Sequence, residues 1–321
     1  MAVYTHVPED ELTRFLASYG LPPASVFKGI AEGVENSNYL LEAGGQRLIL
    51  TLYEKRVAPA DLPYFLALMD HVADAGLPAA RPLTAKDGER LRELCGRPAA
   101  LITFVRGVSP DRPSPAQARV CGEALARLHA ATGDFEPTRR NDLGAEDWPR
   151  LTGALMPRAD EIQSGLSEEL PRLLASACGA LPQGLPTGTI HADLFPDNLL
   201  LTEGEVTGII DFYFACTGPL AYDLAVSMNA WTPEPQTDAP IDTRNARALL
   251  EGYESVRPLA AAEREALPTL LTGAALRFFL TRAHDWLHRV PGALTRIKDP
   301  LPYLRLMRHH AALSNDITRT V

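Results

Sequence analysis

An α+β chain with a small N-terminal antiparallel-sheet part and a larger, mostly helical C-terminal part is what this sequence predicts. Alternating apolar runs crowd the first hundred residues, and helical stripes fill most of the remainder. The 321 residues, 46% hydrophobic and 22% charged, have a globular composition and enough length for two units. The expected division is 1–106 and 107–321.

The elements come in a definite order. Asn38 to Ala43 and Arg47 to Tyr53 read as strands joined by Gly44-Gly45, a pair suited to the positive φ angles of a tight hairpin. Asp61 then stands where a helix cap would. Leu62, Phe65, Leu66, Met69, Val72 and Ala73 form a helical stripe closed by Gly76 and Pro78. Ala99 to Val105 is a further strand, and Gly107 to Pro113 a turn-rich connector. Ser114, Pro115 and Gln117 form a capping-box start for a helix that carries Cys121, Ala124, Leu125, Leu128 and His129. Two short apolar segments, around Thr189-Ile190 and Val206 to Phe212, interrupt the helical half. Gly218-Pro219 reads as a turn, and Thr232 to Thr243 as an exposed loop.

Charge and cysteines bound the function. The chain has 31 Lys+Arg against 40 Asp+Glu, a formal net charge of −9. With no basic cluster, the balance argues against nucleic acid and anionic membranes as partners. A polyphosphate is not, because backbone amides and a metal ion can hold one locally. Cys95, Cys121, Cys178 and Cys216 form no C-x-x-C pair, so they make neither a zinc site nor a disulfide framework. Met1 to Thr13 has no basic and apolar leader pattern. Leu267 to Leu280 is too short to span a bilayer and carries Arg277. A cytoplasmic protein is expected.

The chemistry lies between the two apolar segments. His191-Ala192-Asp193-Leu194-Phe195-Pro196-Asp197-Asn198 has the spacing H-x-D-x-x-x-x-N, and Asp211 stands after a short apolar strand. Phosphoryl transfer needs one group to orient the attacking hydroxyl and oxygens to hold magnesium on the phosphates. Asp193 can accept the hydroxyl proton. Asn198 and Asp211 offer the hard oxygens that suit Mg²⁺.

The string resembles the catalytic and metal-binding segments of the protein-kinase-like superfamily, in the form used by aminoglycoside phosphotransferases and choline kinases. GIAEGVENSNYLL (29–41), LILTLYE (48–54), IDFYFACTGPLAYDLAVSMNAWT (210–232), ALRFFLTRAHDWL (275–287) and PGALTRIKDPLPYLRL (291–306) look like homoserine kinases of the aminoglycoside-phosphotransferase-like type. That resemblance implies a protein-kinase-like bilobal fold, with ATP and Mg²⁺ as cofactors. It also implies phosphorylation of the small molecule L-homoserine to O-phospho-L-homoserine, a step towards threonine. By resemblance, His191 supports the catalytic loop and Asp223 buttresses it, while Asp223 also complements a helix N-terminus. Gly29, Gly33, Asn36, Ser37 and Asn38 are the nucleotide-binding candidates, glycines for close approach and short polar side chains as donors. Ala99 to Val105 is the strand expected to meet adenine through its main chain.

Two questions stay open in sequence. Leu50-Thr51-Leu52 places Thr51 where many of these kinases carry a phosphate-binding Lys or Arg, and neither Lys28, Arg47 nor Lys55 is an evident substitute. The amino-acid end of homoserine needs a carboxylate and an Arg fork or amides. Tyr213, Asn229, Trp231 and Arg277 are its candidates, with Arg282 nearby; Arg277 reads equally as a solvated helix edge. The alternatives are a kinase for choline, an aminoglycoside or a sugar amine, and a non-catalytic ATP-binding pseudokinase. A metal hydrolase is weaker, since the other histidines show no zinc spacing. No oligomeric state can be read from the sequence.

Overall fold

The computed structural model describes residues 5–30, 36–54, 57–179, 184–232, 241–289 and 297–317. Two compact units result. The first runs to Val108 and takes in Thr207–Tyr213; the second holds Ser109–Val206 and most of the chain from Phe214 on.

In the first unit, α1 (Glu9–Ser18) precedes β1 (Val26–Gly29), β2 (Asn36–Ala43) and β3 (Gln46–Tyr53); α2 (Leu62–Asp74), β4 (Arg92–Leu94) and β5 (Arg97–Thr103) come next. The five strands form one antiparallel sheet in the order β1-β2-β3-β5-β4. Gly44 and Gly45, at φ 59° and 77°, close the β2–β3 hairpin as their sequence requires. Helix α1 has no counterpart in the sequence reading. Its Leu12, Phe15 and Leu16 pack with Leu41, Leu48, Leu50 and Leu101 of the sheet, and each such burial is worth roughly 1.5–3 kcal/mol. Asp61 does stand at the N-cap position of α2, but its side chain makes no capping bond. It ends a 3-10 turn, Pro59–Asp61, so its backbone is already helical and lacks the extended geometry of a cap.

In the second unit, α3 (Pro115–Ala131) starts with the expected capping box. The Gln117 amide donates to Ser114 Oγ at 3.3 Å, and the Ser114 amide donates to Gln117 Oε1 at 2.9 Å. Next come α4 (Trp148–Leu155), α5 (Leu166–Ala177), β6 (Thr187–Ile190), β7 (Leu199–Thr202) and β8 (Glu205–Ile209), whose last three residues count with the first unit. The chain ends with β9 (Cys216–Pro219), α6 (Leu220–Trp231), α7 (Thr243–Val256), α8 (Ala261–Leu287) and α9 (Leu301–Ile317). β6 pairs with β9 and β7 with β8, each a two-stranded sheet. Gly218-Pro219 is therefore the end of a strand and not a turn. A Cβ on Gly218 would come within 2.8 Å of Ile190 Cδ1, so the missing side chain serves close strand packing.

Helices α3 and α7 touch backbone to backbone. A Cβ on Gly122 would lie 2.0 Å from the Leu249 carbonyl oxygen, and one on Gly252 would lie 2.1 Å from that of Arg119. This approach lets His129 of α3 reach Tyr253 of α7. Among the described residues, no helix is long and apolar enough to cross a membrane. All four cysteines are free thiols.

Candidate active site

The polar string between β6 and β7 is held mainly by its backbone. Ala192 has φ 60°, a left-handed conformation that costs a residue with a Cβ about 1–3 kcal/mol unless its surroundings enforce it. Asp223 supplies that enforcement. Its carboxylate, fully buried near the start of α6, accepts the amides of His191 at 2.7 Å and Ala192 at 2.8 Å. His129 Nε2 lies 3.0 Å from the same carboxylate, and His129 Nδ1 lies 2.8 Å from the Tyr253 hydroxyl. Arg257 donates to that hydroxyl at 3.1 Å and pairs with the buried Glu263 at 3.0 Å. Burial opposes the charge on Asp223, but the His129 hydrogen bond and the nearby imidazoles hold its carboxyl below the ordinary carboxylate range.

The rest of the string is fixed from other sides. Trp231 Nε1, with its side chain fully buried, donates to the Leu194 carbonyl at 2.9 Å. The Phe195 amide closes a tight turn on the Asp193 carbonyl at 2.7 Å. Asn198 Nδ2 donates to the Asp193 carbonyl at 2.7 Å and to Asp193 Oδ2 at 3.3 Å. Its Oδ1 has no hydrogen-bond partner among the described residues.

The backbone is thus immobilised while the Asp193 side chain, 19% exposed, stays reachable. Arg277 Nη1 of α8 stands 3.4 Å from Asp193 Oδ1. Burial pushes the Asp193 carboxyl up to about 6; Arg277 and Lys298 pull the other way, and Asp197 adds to the rise. Asp197 itself points outward and meets Lys298 at 3.5 Å.

Residues 26–259 match the phosphotransferase enzyme family. The chain belongs to this family. It is 50% identical to a homoserine kinase of Granulibacter bethesdensis, over 98% of both chains. It is 51% identical to a homoserine kinase of Rhodospirillum rubrum, over 98% of this chain and 97% of that one. Its fold is similar to that of a spectinomycin phosphotransferase solved with ADP and spectinomycin (TM-score 0.69, 13% identity, 97% and 99% covered). An amicoumacin kinase solved with AMP-PNP, Ca²⁺ and amicoumacin gives 0.68 at 15% identity, with 96% and 94% covered.

Within this phosphotransferase, the second unit brings together Asp193, Asn198, His191, Asp223 and Arg277. His191 is fully buried, and its amide is one of the two held by Asp223. Asp211 lies in the first unit, between the end of β8 and a 3-10 turn, exposed and at φ 63°. Tyr213 is also in the first unit; its hydroxyl is 3.0 Å from that of Tyr53, and its ring meets Phe65 edge-on.

The structure places the remaining candidates as follows. Asn36, Ser37 and Asn38 open β2. Ser37 is fully buried and donates to Glu54 at 2.7 Å, while the Asn36 Oδ1 accepts the Glu54 amide at 3.4 Å. Asn38 faces Thr51 across the sheet and accepts its hydroxyl at 2.8 Å, so the position where a cation was sought is taken up by a strand-to-strand bond. Gly29 ends β1, and Gly33 lies outside the described residues, as does Lys55. Asn229 is 1% exposed and joins α8 through the Leu271 carbonyl at 2.9 Å and α9 through His310 at 2.8 Å. Asn229 and Trp231 are both buried. Arg277, read as either pocket or solvated edge, is 4% exposed. Sequence reasoning missed the Tyr253–Arg257–Glu263 extension behind His129. Gly122 and Gly252, which permit it, were its only trace.

Proposed function

We propose that this chain transfers the γ-phosphoryl group of ATP to the side-chain hydroxyl of L-homoserine. The observation that carries the reading is identity of about half the residues, over 98% of the chain, to proteins named homoserine kinase, joined to an intact Asp193 loop. The acceptor oxygen attacks the γ-phosphorus while the bond from that phosphorus to the bridging oxygen of ADP breaks, and the bonding pair leaves with ADP. The hydroxyl proton passes to the Asp193 carboxylate. Held near 6, that carboxyl is ionised at neutral pH yet a stronger base than an ordinary aspartate.

The residues proposed to hold a divalent cation such as Mg²⁺ are Asn198, through its amide oxygen, and Asp211, through its carboxylate, both hard ligands. When bound, such an ion neutralises charge on the phosphates. Asp223, His129 and Trp231 keep the loop from relaxing out of its strained turn. The experiment is ADP release from Mg-ATP across a panel of L-homoserine, choline, aminoglycosides and amino alcohols. L-homoserine should lead by about tenfold or more in kcat/KM. A lead for choline or an aminoglycoside, or no release with any alcohol, would refute the reading.

A further inference from the structure

We infer that Arg277 is the carboxylate anchor of the acceptor site, selecting an α-amino acid over the corresponding amino alcohol. The inference rests on the homoserine reading and adds a residue and a chemical class to it. A guanidinium carries five N–H donors in a planar fork. That of Arg277 sits in the middle of α8 and is 4% exposed. Its Cζ lies 3.8 Å from the centroid of the Phe278 ring and 5.0 Å from that of Phe214. Those rings pack against the guanidinium, whose N–H donors all point outward in its own plane.

One edge contact is present, Nη1 to Asp193 Oδ1 at 3.4 Å. This is long beside the 2.7–2.9 Å, or about that, of a good charge-assisted bond. Among the described residues, the Arg277 guanidinium has no other hydrogen-bond or ion-pair partner. A buried cation with most of its donors unused is costly. A bidentate carboxylate is the ligand whose shape and charge complete it.

Position gives the second argument. The acceptor hydroxyl must reach Asp193, and Arg277 already borders that carboxylate. In homoserine the four single bonds from hydroxyl oxygen to carboxylate carbon span about 5 Å at full stretch. A molecule with its hydroxyl on Asp193 therefore has its carboxylate within reach of the free edge of the neighbouring guanidinium. Arg282, on the same helix, stands 4.4 Å over the Tyr303 ring and bonds only the Asp299 carbonyl at 3.4 Å among the described residues. It adds positive potential on the same side.

The test compares L-homoserine, L-homoserine amide and 3-aminopropan-1-ol as acceptors for the wild type, Arg277→Lys and Arg277→Met. All three compounds carry the same reacting hydroxyl, and only the first carries a carboxylate. The wild type should prefer L-homoserine to both others, chiefly through KM. In the variants, KM for L-homoserine should rise about tenfold or more, with a smaller loss for Lys than for Met. The preference over 3-aminopropan-1-ol should shrink towards unity. Equal losses for all acceptors, or a rise confined to KM for ATP, would assign Arg277 to Asp193 or to phosphate and overturn the inference. If neither variant folds, the wild-type series decides alone: equal KM for the acid and its amide overturns it. No turnover of L-homoserine by the wild type would instead remove the functional reading beneath it.

Discussion

Asn36–Asn38 in the first unit and His191–Asn198 in the second are both short polar runs beside apolar strands, but their side chains meet opposite fates. In the first, the side chains are consumed: Ser37 by Glu54, Asn36 by the Glu54 amide and Asn38 by Thr51. In the second, other elements hold the backbone, through Asp223, Trp231 and the turn at Phe195. That leaves the Asp193 side chain reachable, as the proposed role of that carboxylate requires. A polar run becomes a site when something else satisfies its backbone.

The contrast breaks most readily at its anchor. Asp223→Ala would leave two loop amides and His129 buried without their acceptor. We expect a loss of about 3–5 kcal/mol in chemical denaturation, with kcat falling beyond what the unfolded fraction explains. A wild-type melt would show that the loop does not depend on Asp223.

A smaller effect should come from behind the loop. Gly122→Ala forces a methyl against the Leu249 carbonyl and pushes α3 from α7, costing about 3 kcal/mol. An unchanged urea midpoint would mean that these helices separate freely, and that Tyr253 does not matter to His129.

The packing that carries Asn229 and Trp231 should also respond to pH. Burial pushes the His310 imidazole down to about 4 from an ordinary 6.5, so it stays neutral in the folded chain while the unfolded chain takes up a proton. Stability from this group is complete above about pH 6.5 and is lost as pH falls towards 4, by up to about 3 kcal/mol. His310→Gln should flatten that slope in a series of melts. A slope that survives the substitution assigns it elsewhere.

The smallest change belongs to the first region. Ser37→Ala should cost about 1–2 kcal/mol, as expected for a buried hydrogen bond to a carboxylate, and leave KM for ATP within about twofold. A tenfold rise in that KM with full stability would restore Ser37 as a nucleotide ligand.

Legibility in the sequence is a matter of locality. The Gly44-Gly45 hairpin and the Ser114 capping box are set by neighbouring residues, and they stand as read. Helix α1 escapes because it presents only three buried side chains in ten residues, too short a stripe to stand out. The start of β2 at Asn36 escapes because a polar residue in a strand is explained only by its partner, here Glu54 or Thr51. His129 looks like an isolated histidine until Gly122 and Gly252, far apart in the chain, bring α3 and α7 together. The burial of Arg277 depends on Phe214, also distant in sequence, so spacing along α8 leaves its place undecided.

The proposed chemistry depends most on Asp193 being the group that meets the acceptor hydroxyl. Asp193→Asn keeps the size of the side chain and its place beside Asn198 while removing the base. Steady-state turnover of L-homoserine and calorimetric nucleotide binding should be measured on the same preparation. A fall in kcat of more than ~100-fold, with nucleotide affinity little changed, is the predicted result. Full turnover by this variant would contradict it.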